Sequence, residues 1–281
     1  MTKKHFKPTK ESLSLAKSIA DKLGIPFDEN LTHHQGIWLL DIYFMEICTV
    51  LPEETKNIQF ENLASRDFAA FIEPTSSKPL IYMDQQLQFF LLSAFFINAI
   101  WACRVLDNDT KNDLKRLFSE TICTLHNPYH HESLRKKELV YFQLFENELK
   151  LANALTICSL AFIMCHEIAH KNLDHLNQPE SHNQEFEADK LAFSYLGEVA
   201  KHFETLPNLK IAPNKTGAAI LAFEYLAIAE SANTDEATSH THPPSLSRGK
   251  NLHNIFMGMA DDETKYLYDG FHKSLHELAN F

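Results

Sequence analysis

Glycine is scarce in this chain, and its scarcity bears on the fold class. The sequence contains 7 glycines among 281 residues. Proteins built from many short strands need glycine at their turns, whereas glycine inside a helix weakens the helix. The composition therefore excludes a turn-rich all-β domain and predicts a mainly helical protein. Hydrophobic residues make up 44% of the chain and charged residues 22%, which is typical of a globular protein with a large core.

Cysteine is also infrequent, and its spacing excludes two kinds of site. The 5 cysteines form no C-x-x-C pair, the spacing that thiolate zinc sites and redox motifs use. An odd, scattered set argues against a disulfide framework and favours a reducing compartment. Residues 1–10 are polar and basic with no apolar segment behind them, so no secretory signal is predicted. We therefore expect a cytoplasmic protein.

Basic residues are outnumbered by acidic ones. The chain has 26 Lys and Arg against 37 Asp and Glu, a formal net charge of −11. Binding to a phosphate backbone depends on a basic surface, so nucleic acid is excluded as an expected partner.

One uncharged run raises the question of a membrane span. Leu87–Cys103 has 17 residues without a charge, near the lower limit for a spanning helix. Polar residues such as Ser93 and Asn98 interrupt it, and neither flank is strongly basic. A spanning helix and a buried core helix both remain open. We favour the core helix and expect no stable membrane insertion.

The most informative stretch present is His166-Glu167-Ile168-Ala169-His170, an HExxH pattern. Residues four apart on a helix lie about 40° apart on one face, so both imidazoles can hold one tetrahedral zinc. Glu167 lies about 100° further round, where a general base for a zinc-activated water is needed. Leu151–Cys165 carries no charge, which predicts a buried helix that ends at a cleft. Burying these side chains without partners is costly, and this favours a metal site over a solvated helix face.

Two histidines need a third protein ligand. The HExxHxxGxxH class is excluded because positions 173 and 176 are both leucine. Further along, Glu185 and Asp189 are four residues apart and share one helix face, while Glu187 lies about 200° from Glu185. We therefore predict Glu185 as the third zinc ligand and Asp189 as the acceptor for the outer N–H of a zinc histidine. A solvated, acidic helix start remains the alternative.

This set of motifs resembles the gluzincin metallopeptidases. Three segments carry the resemblance: HExxH at 166–170, ExxxD at 185–189, and THPP at 241–244 followed by Arg248. The arrangement is similar to the HtpX and CAAX-prenyl-protease type, and closer still to the Lit-type phage-exclusion peptidases. It covers about residues 78–255 and none of the first 55.

The resemblance implies a fold, a cofactor and an activity. It implies a mainly α (α+β) fold with a gluzincin-like helical core around the HExxH helix, and one Zn²⁺ per chain. The implied activity is that of a zinc-dependent endopeptidase acting on a polypeptide substrate, with Glu167 catalytic. His242 is the candidate second donor to the oxyanion, and Arg248 the candidate anchor of the Pro-rich turn to Glu185 or Asp189. Purely structural roles for His242 and Arg248 remain open.

The resemblance also implies two different substrate classes. Lit-type peptidases are linked to cleavage of the translation factor that carries aminoacyl-tRNA and to abortive defence against phage. HtpX-type relatives are membrane-associated and cleave misfolded membrane proteins. No residue here selects between them, and a zinc-binding module without catalysis is a third interpretation.

The sequence predicts that the chain is divided into two regions. Residues 1–55 are expected to form a helical N-terminal segment, and 56–281 the zinc metallopeptidase domain, within one compact unit. Three β-like runs (Asn57–Phe60, Ala69–Ile72 and Leu80–Met83) predict a small mixed sheet. By analogy with gluzincins, Leu80–Met83 is the candidate edge strand for substrate, and an ordinary buried strand is the alternative.

Overall fold

A computed structural model describes six stretches of the chain, and they are mainly helical. These are residues 37–63, 70–75, 78–124, 140–205, 217–232 and 243–279. In chain order the elements are α1 (Ile37–Val50), β1 (Gln59–Leu63), β2 (Ala70–Glu73), β3 (Leu80–Asp84), α2 (Gln85–Cys103), α3 (Asn108–Thr124), α4 (Glu146–Asn172), a 3-10 helix (His175–Asn177), α5 (His182–Phe203), α6 (Ala218–Ala232), α7 (Ser245–Met259) and α8 (Asp262–Ala279). The predicted mainly helical fold with one small mixed sheet is confirmed.

The three strands form a sheet in the order β1-β3-β2. Strand β3 runs parallel to β1 and antiparallel to β2. Two of the strands follow their predicted runs closely, but β1 begins two residues later than expected. The reason is Asn57, whose φ of 67° is a turn conformation that a strand cannot include.

The prediction of an edge strand at Leu80–Met83 is wrong. Leu80–Met83 was expected to offer a free edge to substrate, but β3 is the central strand and pairs on both sides. Its backbone N–H and C=O groups are therefore engaged within the sheet, and Ile81 and Met83 are fully buried. The sheet edges belong to β1 and β2, and β2 is the strand that packs against α4.

Helix α4 lies at the centre of the core. It packs against α1, α2, α5 and α6, so apolar side chains all round the helix find partners. Helix α2 is buried in the same way, and its polar Asn98 is accommodated there. The Asn98 amide donates to Tyr225 Oη at 2.8 Å and to the Phe271 carbonyl at 3.1 Å, which ties α2 to α6 and α8.

Among the described residues, two helices are long and apolar enough to cross a membrane. They are Gln86–Cys103 and Glu146–Asn172, with 67% and 78% of the most apolar window buried inside the protein. Contacts within the core therefore account for the apolar character of both helices.

The N-terminal division stays a prediction. Residues 1–36 lie outside the described part of the chain. Helix α1, which follows them, packs against β1, α4 and α5 and so shares the core of the motif helices.

Candidate metal and active site

The last turns of α4 present the HExxH side chains to one place. His166 and His170 are one helical turn apart, and their Nε2 atoms lie 2.9 Å from each other. His166 and Glu167 are only 5% and 6% exposed, because α4 is enclosed by its neighbours up to this point. Cys165, which precedes them, is fully buried and belongs to the hydrophobic core.

The start of α5 brings a carboxylate to the same place. A capping box fixes the first turn of α5: the Ser181 N–H donates to Gln184 Oε1 at 2.9 Å, and the Gln184 N–H donates to Ser181 Oγ. Glu185 follows with its side chain facing α4. Its Oε2 lies 3.3 Å from His166 Nε2, and its Oε1 lies 3.3 Å from His170 Nε2.

These three side chains have the spacing of a metal-ligand set. Ligand atoms about 2.05 Å from a tetrahedral zinc are separated from each other by about 3.3 Å. The separations here are 2.9, 3.3 and 3.3 Å. The buried group of His166, His170 and Glu185 could therefore bind a metal ion.

The charge of the surrounding cluster matches a divalent cation. Three carboxylates, those of Glu167, Glu185 and Asp189, are buried here, and among the described residues Arg248 is the cationic side chain beside them. With neutral histidines, three negative charges and one positive charge leave a net charge of −2. An unbalanced buried charge of this size is unfavourable, and a divalent ion would neutralise it.

Asp189 and Arg248 support the first histidine. Asp189 Oδ1 lies 3.0 Å from His166 Nδ1, so the Nδ1–H can donate to it and leave Nε2 as the metal-facing atom. Arg248 binds the same carboxylate with two nitrogens, Nε at 2.9 Å and Nη2 at 2.6 Å, and its Nη1 lies 3.2 Å from Glu185 Oε2. The guanidinium stacks on the Phe223 ring, with its carbon 4.5 Å from the centroid.

The pKa shifts reflect this concentration of negative charge. Burial and the nearby Arg248 charge lower the pKa of His166, but hydrogen bonds to Asp189 and Glu185 outweigh them and raise it to about 9. Burial raises the pKa of Asp189, but hydrogen bonds from His166 and Arg248 outweigh burial and hold it below its usual range. The cluster thus attracts positive charge, a proton or a metal ion, at the His166 imidazole.

The second histidine has a support that the motif alone does not reveal. His170 Nδ1 lies 3.1 Å from His175 Nδ1, and His175 Nε2 lies 3.3 Å from Glu187 Oε2. Asp174 makes this possible, because its left-handed backbone (φ 59°) turns the chain back after α4 and directs His175 toward His170. Burial and His170 lower the pKa of His175, while Glu187 opposes the shift.

The predicted site residues do not all fall in the described part of the chain. Glu167 accepts no hydrogen bond and forms no ion pair with any residue that the structure describes, although its side chain is buried. Arg248 lies on α7 and contacts both Asp189 and Glu185. His242 lies outside the described residues, so its predicted role stays a prediction.

Sequence reasoning missed His175 and Glu187. His175 is out of register for the HExxHxxGxxH pattern, and Glu187 points away from the face of α5 that carries Glu185. The available signal was an Asp followed by His within a few residues of the motif, since Asp tolerates the left-handed conformation that reverses a chain. That signal is too common in proteins to single out the pair.

The comparison with protein families bears directly on this site. The family model described as Peptidase U49 matches residues 110–268, more than half of the chain. This chain belongs to the peptidase U49 family. The matched range includes both α4 and α5 and extends through Arg248, so it contains every site residue named above. No curated protein and no solved structure matches this U49 peptidase.

Proposed function

We propose that this U49 peptidase is a zinc-dependent endopeptidase that hydrolyses peptide bonds of a protein substrate. One Zn²⁺ per chain is bound by His166, His170 and Glu185. The observation that carries the proposal is the buried two-histidine, one-carboxylate group with ligand spacing, adjoined by the buried carboxylate of Glu167, which has no hydrogen-bond or ion-pair partner among the described residues. A purely structural metal site needs no such carboxylate.

The ligand set favours zinc of the catalytic kind. Structural zinc sites have four protein ligands, whereas catalytic sites have three and leave a position for water or substrate. Within the described residues the group contains three candidate ligands, two imidazoles and a carboxylate. This His₂Glu combination is one that zinc peptidases use.

The residues of the site have defined tasks in the proposed reaction. A zinc ion in such a site would act as a Lewis acid and make water nucleophilic near neutral pH. Glu167 takes the proton from the attacking water as the new C–O bond forms, and delivers it to the amine nitrogen as the C–N bond breaks. Asp189 and His175 hold the two ligand imidazoles in orientation, and Arg248 holds Asp189 and Glu185.

His242 completes the proposal as a candidate donor to the developing oxyanion. It is the second residue before Pro244, which directly precedes α7, and α7 carries Arg248. A donor near the scissile carbonyl adds to stabilisation of the transition state. Replacement of His242 by alanine is then expected to lower kcat by roughly 100- to 1,000-fold without loss of the metal.

The proposed cellular role follows the Lit-type resemblance. The enzyme acts in the cytoplasm on the translation factor that carries aminoacyl-tRNA, as part of defence against phage. The formal net charge of −11 disfavours binding to nucleic acid, which agrees with a protein substrate. This part of the proposal rests on the metal-dependent hydrolysis, but it can fail while that activity stands.

The experiment compares wild type with Glu167→Gln. Elemental analysis of both purified proteins is expected to give one zinc per chain, since Glu167 is not a proposed ligand. A proteome-wide search for new protein termini after expression is expected to find them with wild type only. A terminus within the translation factor supports the Lit-like role, whereas termini in other proteins contradict that role and keep the protease.

Two outcomes oppose the endopeptidase proposal. Equal proteolysis by Glu167→Gln removes Glu167 as the base. Stoichiometric zinc without any new termini in wild type supports the non-catalytic zinc module instead.

A second candidate is a membrane-associated quality-control protease of the HtpX type. The observation in its favour is the pair of long apolar helices, α2 and α4. Their extensive burial in the core speaks against it. Fractionation after high-salt and detergent washes decides the matter, because only an integral protein stays with the membrane through the salt wash.

A further inference from the structure

A second pair of histidines repeats the geometry of the HExxH pair. His272 and His276 lie one turn apart on α8, beyond residue 268 where the family match ends. Their ring centroids are 4.4 Å apart and their planes meet at 85°. The corresponding values for His166 and His170 are 4.5 Å and 86°.

The first histidine of this pair is oriented by a carboxylate, as His166 is. His272 Nδ1 lies 2.9 Å from the Glu224 carboxylate on α6, and Tyr268 Oη donates to the same carboxylate at 2.9 Å. The Tyr268 ring stacks on the His272 ring. Glu224 thereby favours the tautomer with a proton on His272 Nδ1. In this tautomer Nε2 carries a lone pair, which is directed away from the carboxylate.

The two outward nitrogens are spaced for chelation. His272 Nε2 and His276 Nε2 are 3.2 Å apart. An ion about 2.05 Å from each nitrogen would subtend a ligand–metal–ligand angle of about 100°, close to tetrahedral. The alternative use of the same spacing is a single hydrogen bond from His276 to His272 with no ion bound.

This pair differs from the HExxH site in being open. The His272 side chain is 39% exposed, and within the described residues no third His, Cys, Asp or Glu side chain completes a ligand group there. An ion held by two imidazoles fills its remaining positions with water. Such a site exchanges its ion with the solvent and binds it more weakly than a buried three-ligand site.

We propose that His272 and His276 form a second binding site for a divalent transition-metal ion, with Zn²⁺ as the probe. Glu224 is the positioning residue for His272. Imidazole nitrogens select zinc and its neighbours in the first transition row over Mg²⁺ and Ca²⁺, which prefer oxygen. The site is separate from the proposed catalytic zinc and does not depend on it.

Calorimetric titration of the untagged full chain tests this proposal. The metal-free protein is titrated with Zn²⁺ to beyond two equivalents, so that the ion at the proposed catalytic site and any further ion are both observed. Wild type is expected to take up one further ion with weaker affinity. His276→Ala is expected to weaken that binding by roughly 100-fold, because the chelate is lost, and Glu224→Gln by roughly 10- to 100-fold, because His272 loses its acceptor.

His202→Ala is the matched control. His202 also sits against a carboxylate, Glu46, at 2.7 Å, but it has no histidine one turn away, at 198 or 206. It is expected to leave the weaker binding unchanged. The proposal is overturned if every ion that wild type binds is bound equally well by His276→Ala. Failure of the catalytic zinc site would leave a His276-dependent ion in place, so the two results are distinguishable.

Discussion

His170 Nδ1 lies 3.1 Å from His175 Nδ1, so the second histidine of the HExxH motif is held by a residue outside the motif. One of these two nitrogens carries the shared proton, and His175 in turn reaches Glu187 through its Nε2. The chain His170–His175–Glu187 leads from the buried site to a carboxylate that is 65% exposed. It is the counterpart of the His166–Asp189 contact on the other ligand.

Loss of His175 is expected to weaken metal binding. In His175→Ala, His170 loses the partner that fixes its ring and tautomer, and outer partners of this kind contribute roughly 10- to 100-fold to metal affinity. Competition with a chromogenic zinc chelator measures the change. Glu187→Gln is the control, and it is expected to have a much smaller effect because its side chain is largely solvated. An unchanged zinc affinity in His175→Ala would show that the contact with His175 does not position His170 for metal binding.

Arg248 is expected to stabilise the metal-free fold. In Arg248→Met, Asp189 keeps its full burial but loses both nitrogens that bind its carboxylate, a kind of loss that costs about 3–5 kcal/mol. Arg248→Lys keeps the charge but not the bidentate contact, so its free energy of unfolding is expected to lie between those of wild type and Arg248→Met. Urea unfolding with a chelator present measures the free energies of unfolding.

A surface pair serves as the control for Arg248. Arg116 contacts Asp113 at 2.8 Å with both side chains more than half exposed. Arg116→Met is therefore expected to change the free energy of unfolding by about 1 kcal/mol or less. Equal effects of Arg248→Met and Arg116→Met would contradict the burial argument.

The sequence predicts local features of this fold better than its long-range pairing. Low glycine content and helical periodicity predict the helices, and three apolar runs predict the strands. The strand order is another matter, because an apolar run such as β3 predicts that a strand is buried but not which strands lie beside it. The central place of β3 depends on pairing with strands that lie on opposite sides of it, and no local pattern encodes that choice.

The same distinction applies to the candidate site. Glu185 and Asp189 could be placed on one face because both lie on one helix with a fixed period. His175 could not, since its contact with His170 depends on the left-handed backbone at Asp174. The contacts of Arg248 join α7 to α5 across 59 residues of sequence, and only the resemblance to known peptidases suggested them.

Gly217 is expected to resist replacement. Its φ is +61°, and a Cβ added there would lie 2.7 Å from Tyr268 Cδ2. The left-handed backbone and the overlap together predict a loss of about 2–4 kcal/mol in the free energy of unfolding for Gly217→Ala.

Gly270→Ala is the matched control. Gly270 lies inside α8 with nothing within 4 Å of the added Cβ. There alanine is expected to stabilise by about 0.5–1 kcal/mol. Changes in the free energy of unfolding that have the same sign in both variants, relative to wild type, would contradict the placement of Gly217 against Tyr268.

Zinc removal is expected to lower the thermal stability of wild type, and Glu185→Gln to abolish that response. At a buffered free zinc concentration of 100 times Kd, binding stabilises the folded state by about 2.7 kcal/mol, which corresponds to a rise in Tm of about 5–10 °C for a chain of this size. Glu185→Gln removes a ligand, so the rise disappears. Glu187→Gln, two residues away on the other face, keeps most of the zinc response. Differential scanning calorimetry with chelator and with buffered zinc measures all three proteins, and a full zinc response in Glu185→Gln would remove Glu185 from the ligand set.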